Sequence, residues 1–173
     1  ITKTIATVAI VSVALFGSAN AKTLKIETHF TASSPNGEVA AQFAKNVEMF
    51  SGGSLKIEMF YSSSVTGKSA EVFNSAQTGI IDCDMTGAGY QTGKNAAFQF
   101  AGDVMGGYDN PYQQYDFLKF PGAQEAVDAL YNKYGMTLIG WWIPGHESLI
   151  SSKPIPEVAS IKDFRFRSRP GME

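Results

Sequence analysis

Apolar and polar residues alternate through Thr23–Phe30 (TLKIETHF), the period of a β-strand. Ser34-Pro35 follows as an N-cap with proline at the first helical position. Val39, Phe43, Val47 and Phe50 then fall on one helical face, and Gly52-Gly53 stops the helix. Leu55, Ile57 and Met59 alternate with Lys56 and Glu58, which predicts a second strand over Ser54–Phe60. Ser69 is expected to cap a second helix with Val72, Phe73 and Ala76 turned inward, ended by Gly79. Ile80–Thr86 (IIDCDMT) reads as a third strand. Strands alternating with helices over short connections predict an α/β fold with a parallel sheet and right-handed crossovers.

Ligands of such sheets sit beyond the carboxyl ends of the strands. The loops concerned are Phe30–Ser34, Tyr61–Val65 and Thr86–Gln91. The first two are rich in serine and threonine, the third in glycine, with Gly87 as a source of backbone hydrogen bonds. From Gly87 to Pro111 the pattern is irregular, and long ordered loops are often functional. Pro111–Phe120 and Ala123–Tyr134 predict two more helices, joined near Pro121-Gly122. Met136–Ile143 predicts an apolar strand. Two further strands are expected at Ser148–Ser152 and Phe164–Arg167, joined by the proline-rich Lys153-Pro154-Ile155-Pro156. Trp141 and Trp142 would point to opposite sides of their strand, one into the core and the other toward a cleft.

Of the 173 residues, 44% are hydrophobic and 17% charged, enough apolar material for a packed core. The formal net charge is -2. No basic stripe appears, which argues against nucleic acid as a partner. Residues 1–21 have the shape of an export signal: Lys3 as a basic n-region, an apolar run Ile5–Phe16, and Ala19-Asn20-Ala21 as a small-x-small cleavage site. The apolar run is shorter than the roughly 20 residues needed to span a bilayer. Cleavage after Ala21 removes Lys3, the one charge in that segment, and shifts the formal net charge from -2 to -3. Cys83 is the one cysteine, so no disulfide forms within the chain. Its neighbours Asp82 and Asp84 would raise its pKa, and it is expected to be a buried small hydrophobe. The chain opens at Ile1 and stops at Glu173 just after a strand-like run, as expected for a piece of a longer protein.

Several chemistries lack their motif. His146-Glu147 begins like a zinc-protease helix, but the position four residues on is Ile150, and Pro144-Gly145 argues for a turn. No G-x-S-x-G elbow and no P-loop is present. Asp82, Asp84, Asp103 and Asp109 carry no partner pattern and read as surface or capping residues. Phe164-Arg165-Phe166-Arg167 alternates, so Arg165 and Arg167 share one strand face. That face is either solvated or a site where Arg167 grips an anion. A guanidinium holds a carboxylate with two parallel hydrogen bonds. Three functional classes therefore stay open. One is a binder of a small organic acid using Arg167, His146 and an aromatic wall that includes Trp142. The second is an α/β hydrolase using His146 and a carboxylate. The third is a carbohydrate binder that stacks sugars on its tryptophans.

The export signal, FSGGSLKIEMFYSSS, IDCDMTGAGYQTGKN, GGYDNPYQQ and GWWIPGHESL together resemble the extracytoplasmic solute receptors of TRAP transporters. The resemblance covers residues 22–173 and is nearest to the branch that binds 2-oxo acids such as pyruvate. It implies a non-enzymatic periplasmic protein that hands a small organic acid to TRAP membrane permease subunits. It further implies a two-lobed periplasmic-binding-protein-like α/β fold about twice this length, closing on its ligand. Residues 22–141 would form most of the first lobe, and 142–173 the crossing strand and the start of the second. The family's carboxylate-binding arginine follows the pattern IKDFRFR, which places it at Arg167, and Tyr90 matches a tyrosine expected to reach the substrate. In that branch a metal cation often bridges protein and substrate, with the glutamine of G-Q-E-S among its ligands. His146 stands at that position here. An imidazole suits sodium or calcium poorly, so His146 marks an altered metal ligand, a direct substrate contact, or a mode without a cation.

Overall fold

The computed structural model describes residues 21–102, 104, 107–143, 149–162, 164, 165 and 167. The export signal to its last residue but one, and His146, lie outside them. The chain order is β1 (Lys22–Thr28), α1 (Pro35–Phe50), β2 (Leu55–Phe60), α2 (Val72–Gln77), β3 (Cys83–Met85), α3 (Pro111–Lys119) and α4 (Pro121–Asn132). Short 3-10 turns occupy Ser69–Glu71, Ala88–Gln91, Ala96–Phe100 and Val158–Ile161. The three strands form one sheet in the order β2-β1-β3 with both pairings parallel. The expected α/β architecture is therefore present, with β1 central.

Helix α1 begins as its sequence requires: Ser34 Oγ accepts from the Gly37 amide at 3.1 Å, and Pro35 opens the first turn. Its buried side differs from the expected one. Val39 and Phe50 are exposed, whereas Gly37 and Ala40 are buried. Small residues win this face because the helix start lies close to the preceding loop. A Cβ on Gly37 would run into the carbonyl oxygen of Thr31. Gly52 (φ +61°) and Gly53 (φ +80°) then reverse the chain in the left-handed region.

Other boundaries also differ. Ser69 does not cap a helix. It opens a 3-10 turn, and its hydroxyl lies 3.4 Å from Ser63 Oγ. The third strand is shorter than its apolar run, because Ile80 is exposed and Ile81 turns into the core before pairing starts at Cys83. Cys83 is half-buried, and burial followed by the charges of Asp82 and Asp84 raises its pKa. The stretch after β3 is not structureless but carries two 3-10 turns. Helix α4 starts at Pro121, two residues earlier than Ala123. Residues 136–143 have no ladder partner among the described residues. Alternation holds only at their start: Met136 and Leu138 pack on a core of Phe73, Phe98, Ala101, Val127 and Leu130 while Ile139 is exposed, but Trp141, three residues after Leu138, packs on the same core, so the phase shifts at Gly140. Nor does a strand form at the described parts of Ser148–Ser152 and Phe164–Arg167.

Alanine in a helix ordinarily gains about 1 kcal/mol over glycine. At Gly37 the steric conflict with backbone reverses the sign. Gly37→Ala is expected to lose about 1–3 kcal/mol of stability in urea unfolding, and a gain would contradict the close approach.

Candidate functional site

Parallel pairing sends the carboxyl ends of all three strands to one edge of the sheet. A pocket of about 550 Å³ opens there, lined by His29, Thr31, Ser62, Ser63, Gly67, Lys68, Ser69, Ala70, Tyr90 and Arg167. Each strand end contributes. His29 and Thr31 follow β1, the serines and Lys68 follow β2, and Tyr90 lies in the Ala88–Gln91 turn after β3. Arg167, far along the chain and itself exposed, reaches the same pocket. Two cations and four hydroxyls thus share one concave surface with an imidazole and a phenol, in a chain of negative net charge. Such a surface attracts anions.

The pocket continues into a row of rings. His29 and Tyr90 meet edge-on at 5.4 Å between centroids, His29 and Phe30 lie 3.9 Å apart, and Phe30 stacks on Trp142 at 4.9 Å. Trp142 is therefore joined to the pocket through Phe30 and His29 without lining it. Trp141 takes the opposite side: its indole packs on the core, and Nε1 donates to the Ala101 carbonyl at 3.2 Å. Gly87 does not line the pocket. Its carbonyl accepts from the Tyr90 amide at 3.1 Å, and it is the residue preceding the turn that carries Tyr90. Gln91, buried beside Tyr90, donates to the carbonyl of the pocket residue Ala70 at 3.3 Å. Two walls are thereby tied together.

Beneath the pocket lies a polar layer that the sequence pattern did not single out. Glu27 is fully buried on β1, and its register partner on β3 is Asp84. Glu27 Oε1 accepts from the amides of Val65 at 2.6 Å and Thr66 at 3.3 Å. Glu27 Oε2, Asp84 Oδ1 and Thr86 Oγ1 are buried without hydrogen-bond partners. Burial pushes the Asp84 carboxyl up to about 6, and the Glu27 charge adds to the rise while nearby Thr86 opposes it. Burial, then the Asp84 charge, likewise raises the pKa of the Tyr131 phenol. Lys25, Glu27 and His29 are the alternate positions of β1, yet Lys25 is exposed and Glu27 is not. Glu27 is buried because the loop after β2 folds over it. The described residues hold no group of three or more His, Cys, Asp or Glu side chains placed to bind a metal. His146, the metal ligand named from the sequence, lies outside them.

A family model for the bacterial extracellular solute-binding proteins, family 7, matches residues 26–171. The chain belongs to that family. Solved TRAP periplasmic solute binding proteins share its fold over about two-thirds of the chain. A TRAP periplasmic solute binding protein from Rhodobacter sphaeroides, solved in an apo open form, is 28% identical with a TM-score of 0.63. The match covers 68% of this chain and 37% of that one. A TRAP solute binding protein from Bordetella bronchiseptica, with copurified calcium and picolinate, is 22% identical at a TM-score of 0.60, over 66% of this chain and 34% of that one. One from Pseudoalteromonas atlantica, with bound sodium and pyruvate, is 21% identical at 0.61, over 66% and 35%. The chain thus spans little more than a third of the length of the solved structures it matches. Others with this fold hold pyroglutamate, L-gulonate or sn-glycerol-3-phosphate.

Asp84 yields a pH prediction. An aspartate whose folded pKa rises from 3.8 to about 6 makes the folded state bind protons more tightly than the unfolded chain. Its contribution is full below the unfolded value and is lost as pH rises through the folded one. Asp84→Asn is therefore expected to stabilise the protein by about 1–3 kcal/mol at pH 8 and by little at pH 4. Urea unfolding at the two pH values checks this, and an equal effect at both would contradict it.

Proposed function

We propose that this family 7 protein is the periplasmic receptor of a TRAP-type transporter, which captures a small organic carboxylate and delivers it to the membrane permease. The observation that carries the reading is the convergence of Arg167, Lys68, Tyr90 and hydroxyl side chains on one pocket at the carboxyl edge of the parallel sheet. Arg167 supplies a planar fork for two carboxylate oxygens. Tyr90 and the serine hydroxyls supply hydrogen bonds to the remaining polar atoms. The ligand leaves chemically unchanged, so the protein is not an enzyme. The ligand class is a 2-oxo acid. The motif resemblance supports this, as does the pyruvate held by the Pseudoalteromonas atlantica protein, at 21% identity a likeness of fold.

In this reading residues 1–21 direct export and are removed after Ala21. Residues 22–141 build most of one lobe. Residues 142–173 cross toward a second, which closes over the exposed Arg167 and excludes water. Desolvation then strengthens the ion pair. Both tryptophans are engaged with protein groups, Trp141 in the core and Trp142 on Phe30, which weighs against sugar stacking. No cation is written into the binding mode. His146 remains a candidate substrate contact on sequence grounds.

Removing one partner of a buried charge pair typically costs about 3–5 kcal/mol. Arg167→Ala is therefore expected to weaken binding of the acid by at least about a hundredfold at unchanged melting temperature. Arg167→Lys, which keeps the charge but not the fork, should fail similarly. Mass spectrometry of the copurified ligand followed by calorimetry on the variants checks this. A sugar in the pocket, or unchanged affinity in Arg167→Ala, would overturn the assignment.

A further inference from the structure

We propose that Glu27 is the positioning residue of this pocket. It never touches the ligand, yet its buried carboxylate sets the wall that does. The inference rests on the reading above, that the pocket takes a carboxylate.

The loop after β2 supplies Ser62, Ser63, Gly67 and Lys68 to the pocket. Its backbone is held in an unfavourable form. Ser62 (φ +57°) and Ser63 (φ +51°) are consecutive left-handed residues that are not glycine, while Gly67 (φ +75°) takes the same region without strain. Each such serine carries a steric cost that glycine would not. A strained conformation persists when surrounding bonds over-determine it. Those bonds are on the β1 side. The Ser62 amide donates to the Phe30 carbonyl at 2.9 Å and the Ser63 amide to Thr28 at 3.1 Å. The Ser64 amide then donates to the Tyr61 carbonyl at 3.1 Å, and the two amides after it, Val65 and Thr66, donate to Glu27 Oε1. A carboxylate accepting backbone N–H groups makes stronger bonds than a neutral acceptor does.

Val65 and Thr66 are not themselves in the pocket. They are the apex of the loop, and the Gly67 amide folds back onto the Ser63 carbonyl at 2.7 Å. Pinning the apex therefore fixes both limbs: the serines before it and Lys68 after it. Ser63, buried beneath the wall, passes the constraint to Ser69 through their paired hydroxyls. One side chain at the end of the central strand thus organises five of the pocket's lining residues. Asp84 faces Glu27 in the register. A glutamine at position 27 keeps one carbonyl acceptor for Val65 and Thr66, and its amide nitrogen replaces Oε2, which has no hydrogen-bond partner, and removes the charge opposite Asp84 in the register.

The test compares wild type, Glu27→Gln and Glu27→Met by site-resolved amide hydrogen exchange, melting temperature and calorimetry with pyruvate. In the wild type, the Val65 amide should exchange at least about tenfold more slowly than expected for an exposed loop residue. In Glu27→Met, exchange at Val65 and Thr66 should accelerate about tenfold or more, and pyruvate affinity should fall by a similar factor. Glu27→Gln should restore both to within about threefold. A merely structural role would lower the melting temperature without this rescue pattern. Unchanged exchange at Val65 in a folded Glu27→Met protein would overturn the proposal, as would unchanged pyruvate affinity with accelerated exchange. Should Glu27→Met fail to fold, the wild-type exchange rate and the Gln variant decide: fast wild-type exchange at Val65 overturns the tether. Absence of pyruvate binding in the wild type, with the exchange pattern as expected, overturns the 2-oxo acid reading and leaves the tether standing.

Discussion

Parallel pairing of β1 with both of its neighbours is the constraint on which the site depends. It brings Thr28, Phe60 and Met85 to the same edge of the sheet. The three loops that leave this edge have no choice but to meet. Polar side chains concentrated in those loops therefore become one surface, although they are up to 61 residues apart between His29 and Tyr90. Arg167 joins from much later in the chain and completes the cationic side. Buried Glu27 and partly buried Asp84 lie directly under this edge, where a polar atom shut away from water must find protein partners. Glu27 finds them in the loop amides, and Asp84 answers burial by holding its proton to higher pH.

Much of this was legible in the sequence. The β-α-β-α-β order followed from local signals that agree with the tertiary fold: alternation in TLKIETHF, the Ser34-Pro35 start and the Gly52-Gly53 stop. The split roles of Trp141 and Trp142 followed from strand geometry alone, since adjacent residues of an extended chain face opposite ways. The two tryptophans keep that split, Trp141 on the core and Trp142 on Phe30, although the alternation does not run unbroken through residues 136–143 and these have no ladder partner among the described residues. Pairing is a property of the partner as much as of the strand.

What escaped reading was tertiary in origin. Val39 and Phe50 fit a helical stripe, but the helix turns on the glycine and alanine that permit close approach. Ser69 has the chemistry of a cap, yet another hydroxyl claims it. Glu27 shares its strand parity with Lys25 and His29, and nothing in the alternation separates it from exposed Lys25. Its burial depends on a loop 38 residues away in the chain, which no periodicity records. The one signal available was the placement of a charge on the central strand of a parallel sheet, where both faces tend to be covered. The 3-10 turns that carry Tyr90 and Phe98 are too short to leave a period at all.

The central claim is that Arg167 grips an organic acid in the pocket that Tyr90, His29 and the serines share. A crystal structure of the protein with its copurified acid tests it most directly. The account predicts two guanidinium–carboxylate hydrogen bonds of ordinary length from Arg167, with Tyr90 and Ser62 or Ser69 in contact with the same molecule. A carboxylate seated elsewhere, with the Arg167 side chain turned to bulk solvent, would contradict it.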